Sequence, residues 1–285
     1  MPVDQERIHS LFQKLGRELG KVAAKPQPKT VHQFRTATRR VEALVGLLPD
    51  QDRNLRKLLK QLGRLRRRAG KVRDLDVLIA DLRSLKVSEE PSRKAQVLRT
   101  LTDQRSRREQ KLMEALDEDT VRQLRRRLRR AGTLVAQPTA DPIRLASSMF
   151  ADLARDHQTL SEDVLHQYRI AGKRIRYIAE LGGDDPRAQQ LVAELKRMQD
   201  AIGEWHDWLT LSETTEKLCT DGRPSAMLSA LKNITRAKYR DALQVMNQTR
   251  AALLAEELSR PKPVARTIAR RKPVSSDSSA VAAIA

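Results

Sequence analysis

Histidine, arginine and lysine recur at one spacing in two places. The first is Val31-His32-Gln33-Phe34-Arg35-Thr36-Ala37-Thr38-Arg39-Arg40-Val41, and the second is Leu165-His166-Gln167-Tyr168-Arg169-Ile170-Ala171-Gly172-Lys173-Arg174-Ile175. On a helix turning about 100° per residue, His32, Arg35 and Arg39 fall within about 60° of one another, as do His166, Arg169 and Lys173. Side chains of these types on one face bind anions: guanidinium forks grip paired oxygens, an ammonium supplies mobile charge, and imidazole titrates near neutral pH. Arg64, Arg67 and Lys71 repeat the spacing inside a cation-dense run that ends at Arg73. Like charges so close repel one another unless a counter-ion sits among them.

Metal and catalytic chemistry are poorly supported. His32 and His166 have cations as helical neighbours, where a zinc site wants three or four Cys, His or carboxylate ligands. His206 and Asp207 are adjacent and point in different directions on a helix, which reads as structural. The sequence lacks a Walker-type Gly-rich loop, an activated Ser or Cys arrangement, and a carboxylate cluster to hold magnesium near the basic faces. The expectation is a binding protein with no catalytic residues, metal or cofactor.

The elements that must position these residues read as helices. Ile8, Leu11, Phe12, Leu15, Leu19 and Val22 make one apolar stripe, and Pro26 and Pro28 break the chain before Thr30, the expected N-cap of the first His-Arg helix. Phe34, Ala37, Val41 and Leu44 line the side opposite its cations, and Pro49 is the expected stop. A helix from about Asp52 buries Leu55, Leu58, Leu62, Leu65, Ala69 and Val72; another is expected after Asp74, and a long one from Pro91 to about Ala131, ending in Arg122, Arg125, Arg126, Arg127, Arg129 and Arg130. The second half repeats the order: a helix from Pro142 to Thr159, the His166 helix capped by Ser161 and stopped at Gly182-Gly183, one after Pro186, and one from Ser225 to Leu258. No strand alternation is visible, so the chain is expected to be all-α. Asp207 follows His166 at nearly the separation at which Asp74 follows His32, which marks an internal duplication.

Composition bounds the partner. The 285 residues carry 56 Lys and Arg against 36 Asp and Glu, a formal net charge of +20. Residues 1–140 hold 34 basic and 17 acidic side chains, so the attracting field belongs mainly to the first half. Aromatics make up 3%, too few for a surface that stacks bases, which favours a ligand with charge and no bases. The single cysteine, Cys219, excludes internal disulfides and reads as a small core residue. No apolar run is long enough to span a membrane, and the first residues are too polar for a signal peptide, so a cytoplasmic protein is expected.

His32-Gln33-Phe34-Arg35 with Arg39-Arg40, Arg73-Asp74-Leu75-Asp76-Val77-Leu78, and His166-Gln167-Tyr168-Arg169 with Lys173-Arg174-Ile175-Arg176-Tyr177 resemble the CHAD family, named for conserved histidines and an α-helical domain. The resemblance implies two four-helix bundles related by a pseudo-two-fold axis with a basic cavity where they meet, binding of inorganic polyphosphate, and association with polyphosphate granules. Carried onto this sequence, it implies binding residues His32, Arg35, Arg39 and Arg40, then His166, Arg169, Lys173, Arg174 and Arg176; the cation run adds Arg64, Arg67 and Lys71. The expected organisation is a first bundle over 1–134, a linker over 135–142, a second bundle over 143–259 and a disordered basic tail over 260–285. Two departures stand out: Glu42 occupies the position of Arg176, and Gln199, Asp200 and Glu204 replace the cations at Arg66, Arg67 and Lys71. The alternative is a nucleic-acid binder that tracks a phosphate backbone with the 122–130 run and the tail.

Overall fold

A computed structural model describes residues 3–48, 51–87, 89–156, 159–219 and 224–259, with side chains to residue 255. Among these residues the chain is all-helical: α1 Gln5–Ala24, α2 Pro28–Val45, α3 Arg53–Ser84, α4 Pro91–Met113, α5 Glu118–Leu134, α6 Pro142–Asp156, α7 Glu162–Ala179, a 3₁₀ turn Glu180–Gly182, α8 Pro186–Leu218 and α9 Ala226–Ser259. No described helix is long and apolar enough to cross a membrane. The expected tail, 260–285, lies outside the described residues.

Local chemistry explains most boundaries. Asp52 caps α3 through the Leu55 amide at 2.9 Å, and Ser161 caps α7 through the Val164 amide at 3.3 Å. Gly183, at φ +68°, ends the turn after α7 in the left-handed region that favours glycine. Four expectations are corrected. Thr30 is not the cap of α2: Pro28 sits at its start, where a missing N–H costs nothing, and the Thr30 hydroxyl donates to the Lys25 and Gln27 carbonyls at 2.5 and 3.0 Å. The same helix closes at Gly46, before Pro49, which lies outside the described residues. Nothing breaks the chain at Asp74, because Ala69, Val72, Ile79 and Leu82 keep one buried face running through it and make α3 continuous. The stretch after Pro91 is two helices, since Asp117 accepts from the amide and hydroxyl of Thr120 at 2.8 and 2.7 Å and starts α5 afresh.

Three apolar clusters hold the helices. Phe12, Leu15 and Leu19 of α1 meet Phe34 and Leu44 of α2, Leu58 and Leu62 of α3, and Leu124 and Leu128 of α5. Phe150 of α6, Tyr168 and Ile175 of α7, Leu195 and Met198 of α8, and Met246 of α9 form the second. Each such burial contributes roughly 1.5–3 kcal/mol. The third draws on both halves: Leu78 and Leu82 of α3, Leu101 of α4, Leu211 of α8 and Leu231 of α9, with half-buried Cys219 against it. Helices as long as α3 and α8, about 50 Å at 1.5 Å per residue, can thus serve their own half at one end and the shared cluster at the other.

Candidate functional site

With Phe34 and Tyr168 turned into separate cores, α2 and α7 present their cationic faces to a common space that α3 and α8 flank. The result is a cavity of about 600 Å³. Its lining includes His32, Arg35 and Arg39 from α2, Arg73 and Asp74 from α3, Arg169, Lys173, Arg176 and Tyr177 from α7, and Asp200, Glu204, His206 and Asp207 from α8. Six of the residues expected at the site are thereby brought together: His32, Arg35, Arg39, Arg169, Lys173 and Arg176.

The other six are not part of this lining. Arg40 lies one residue, or about 100°, beyond Arg39 and pairs with Glu180, Nε to Oε2 at 2.6 Å. Arg174 is displaced likewise from Lys173 and is exposed. Arg64, Arg67 and Lys71 are exposed on α3; Arg73, about 200° round from Lys71, is the α3 cation that reaches the cavity. His166 is exposed and stacks on His206, with ring centroids 5.8 Å apart.

The cavity cations are of two kinds. Arg176 is fixed: Nε donates to Gln199 Oε1 at 2.8 Å, Nη1 pairs with Glu180, and its guanidinium lies 4.7 Å from the Tyr177 ring centroid. Glu180 therefore joins Arg40 of the first half to Arg176 of the second. Arg169 stands 3.7 Å from Asp207, and its buried Nε has no hydrogen-bond partner. By contrast, Arg35, Arg39, Arg73 and Lys173 have no ion-paired carboxylate among the described residues. Arg35 packs so closely on Gly70 that a Cβ there would collide with its Nη1.

Crowding is visible in the proton affinities. Burial, with Arg169 and Arg39 beside it, pushes the Lys173 ammonium down to about 8, against the pull of Asp207. Burial lowers His32, and Arg73, Arg35, Arg176 and Arg40 lower it further. Arg35 and Arg39 are lowered too, mainly by burial. Beyond the cavity, Asp81 is raised to about 6 by burial and by Asp207 and Glu204. An arrangement whose cations repel one another when empty is suited to hold a polyanion. Among the described residues no group of three or more His, Cys, Asp or Glu is placed to hold a metal ion.

Sequence reading missed Arg73 and the four carboxylates Asp74, Asp200, Glu204 and Asp207. The nearly equal spacing of Asp74 and Asp207 from the two histidines was the signal for one pair. The departures at Glu42 and Gln199 gain an explanation. Arg66 Nε meets Glu42 Oε1 at 3.0 Å in the first half, and Arg176 meets Gln199 at the equivalent place in the second, so the contact persists with its polarity reversed.

The CHAD domain model matches residues 6–216. Among solved structures, the CHAD domain from the plant Ricinus communis aligns with a TM-score of 0.57 at 20% identity over 89% of this chain and 85% of that one. PptA from Streptomyces chartreusis aligns with a TM-score of 0.57 at 14% identity over 90% of this chain and 100% of that one. No curated protein matches the sequence.

Proposed function

Because the chain belongs to the CHAD domain family, we propose that its interhelical cavity binds inorganic polyphosphate and does not turn it over. The observation that supports this reading best is the set of four cations, Arg35, Arg39, Arg73 and Lys173, that line one cavity with no ion-paired carboxylate among the described residues. Polyphosphate offers about one charge per unit and no bases, which suits a site rich in guanidinium and ammonium and poor in stacking platforms. The packing suits a pseudo-two-fold arrangement of two four-helix bundles over 1–134 and 143–259: α1, α2, α3 and α5 surround one core and α6 to α9 the other, with the cavity between α2 and α7. This role would lie at polyphosphate granules, as the family resemblance implies, in the cytoplasm expected from the sequence. A nucleic-acid backbone on α5 is the weaker reading, because part of that run is engaged: Arg122 pairs with Asp119, and Arg127 donates to Gln61 at 3.2 Å.

Titration of long-chain polyphosphate tests the reading. Log affinity is expected to fall linearly with log salt, long chains to bind better than pyrophosphate, and duplex DNA to compete poorly. Incubation with Mg²⁺ or Mn²⁺ is expected to release no orthophosphate. A flat salt response would sink the proposal, as would steady phosphate release abolished by an Arg35 substitution.

The site also predicts a pH dependence. The free protein holds Lys173 near 8 and His32 below its ordinary value, and a bound polyanion favours the charged form of both. Binding therefore takes up protons, and affinity falls as pH rises through each group's free-protein pKa. The loss sets in below pH 6.5 for His32 and near pH 8 for Lys173, and each continues up to the higher pKa of the bound state. Calorimetry at constant ionic strength should show the upper limb flattened in Lys173→Arg and the lower limb in His32→Gln. An unchanged profile in both variants would remove these groups from the site.

A further inference from the structure

The duplication is broken where the cavity meets α8. Asp200 and Glu204 line it, whereas the residues at the equivalent places on α3, Arg67 and Lys71, do not. Gln199, the third substitution of this series, has a structural use: its side-chain amide donates to the Gly172 carbonyl at 2.6 Å while its oxygen holds Arg176. Asp200 and Glu204 have none of comparable weight. Their side chains are 64% and 58% exposed, and among the described residues they pair only with Lys196 at 3.6 Å and Lys238 at 2.7 Å. Exposed pairs of this kind contribute little to stability.

Resting on the polyphosphate reading, we propose that Asp200 and Glu204 form a negative rim that makes the cavity selective for a thin, single-file polyanion over duplex nucleic acid. A linear chain needs only the α2 and α7 wall, against Arg35, Arg39 and Lys173, and can keep clear of the exposed carboxylates Asp200 and Glu204. A duplex spreads its phosphates over two strands. To reach the same cations it must lie across the cavity mouth and bring phosphates against the two carboxylates, and like-charge contact at an interface rejects the wrong partner.

The test restores the first-half chemistry with Asp200→Arg and Glu204→Lys in the full chain, and measures affinity for long-chain polyphosphate and for a short DNA duplex at about 0.1 M salt, where charges beyond about 10 Å are largely screened. A control, Asp103→Lys with Glu114→Lys, adds the same charge on and beside α4. Selective repulsion predicts that the polyphosphate-to-duplex affinity ratio falls at least about ten-fold in the α8 variant and less than about two-fold in the control, a difference expected where the added cations face the bound phosphates. An unchanged ratio, or an equal fall in the control, overturns the proposal. The neutral pair Asp200→Asn and Glu204→Gln gives the same reading, at smaller amplitude, should the reversed variant fold poorly. If a chain with native Asp200 and Glu204 binds polyphosphate equally well after Arg35, Arg39 and Lys173 are replaced by alanine, the cavity reading itself has failed; if it does not and only the ratio is unmoved, the rim alone has.

Discussion

Replacing Arg35, Arg39, Arg169 and Lys173 together by alanine is expected to weaken polyphosphate binding by about 4–6 kcal/mol, roughly three to four decades in Kd. A charge-assisted hydrogen bond is worth about 1.5–3 kcal/mol, and four of them do not add fully. All four side chains line one cavity. Stability should hold or rise, because in the empty protein these cations repel one another and lie partly desolvated, Lys173 most of all. Deleting residues 261–285 is expected to cost less than about one decade, the loss of long-range attraction without direct contacts. Circular dichroism and thermal melts establish that both variants are folded. Should the deletion cost more polyphosphate affinity than the four substitutions, the duplicated helices would be scaffold and the cavity model wrong.

What could be read from sequence follows from which forces are local. The apolar stripes of α1, α2 and α7 are helix periodicity written directly, and they turn His32, Arg35, Arg39, Arg169 and Lys173 to one side. Arg40 and Arg174 fall outside the cavity lining although they share the motif: each is one residue past a cavity cation, and the pairing of Arg40 with Glu180 depends on a residue 140 positions away. Arg64, Arg67 and Lys71 share a face of α3, but which flank of a helix turns inward is decided by its neighbours, and α3 shows the cavity Arg73 and Asp74. The continuity of α3 through Asp74 was hidden for the same reason. An Asp before an apolar run signals a cap in isolation, and only the third cluster, assembled from α3, α4, α8 and α9, shows why the helix runs on.

The largest stability effect is expected at the ion pair between Asp76, a residue of that same stretch, and Arg105 of α4. The Asp76 side chain is 2% exposed, and its Oδ1 accepts from Arg105 Nε at 2.8 Å while Oδ2 has no partner. Burial works against the Arg105 charge, but its bonds to Asp76 and Glu109 raise its proton affinity overall. Arg105 Nη2 also donates to the Pro26 carbonyl at 2.9 Å, which ties α4 to the segment that enters α2. A buried ion pair adds little against an apolar pair of the same shape, but removing one partner leaves the other charge buried alone. Arg105→Ala should therefore destabilise the protein by about 3–5 kcal/mol, since the Asp76 carboxylate then has no donor. Asp76→Asn keeps an oxygen for Arg105 and should cost only about 1–2 kcal/mol. Chemical denaturation of both variants measures the difference directly. Polyphosphate affinity, measured where each is fully folded, should change less than about three-fold, because neither side chain lines the cavity and long-range charge effects are screened. A variant that kept its stability and lost its affinity would instead place Asp76 in the binding machinery and remove it from the scaffold.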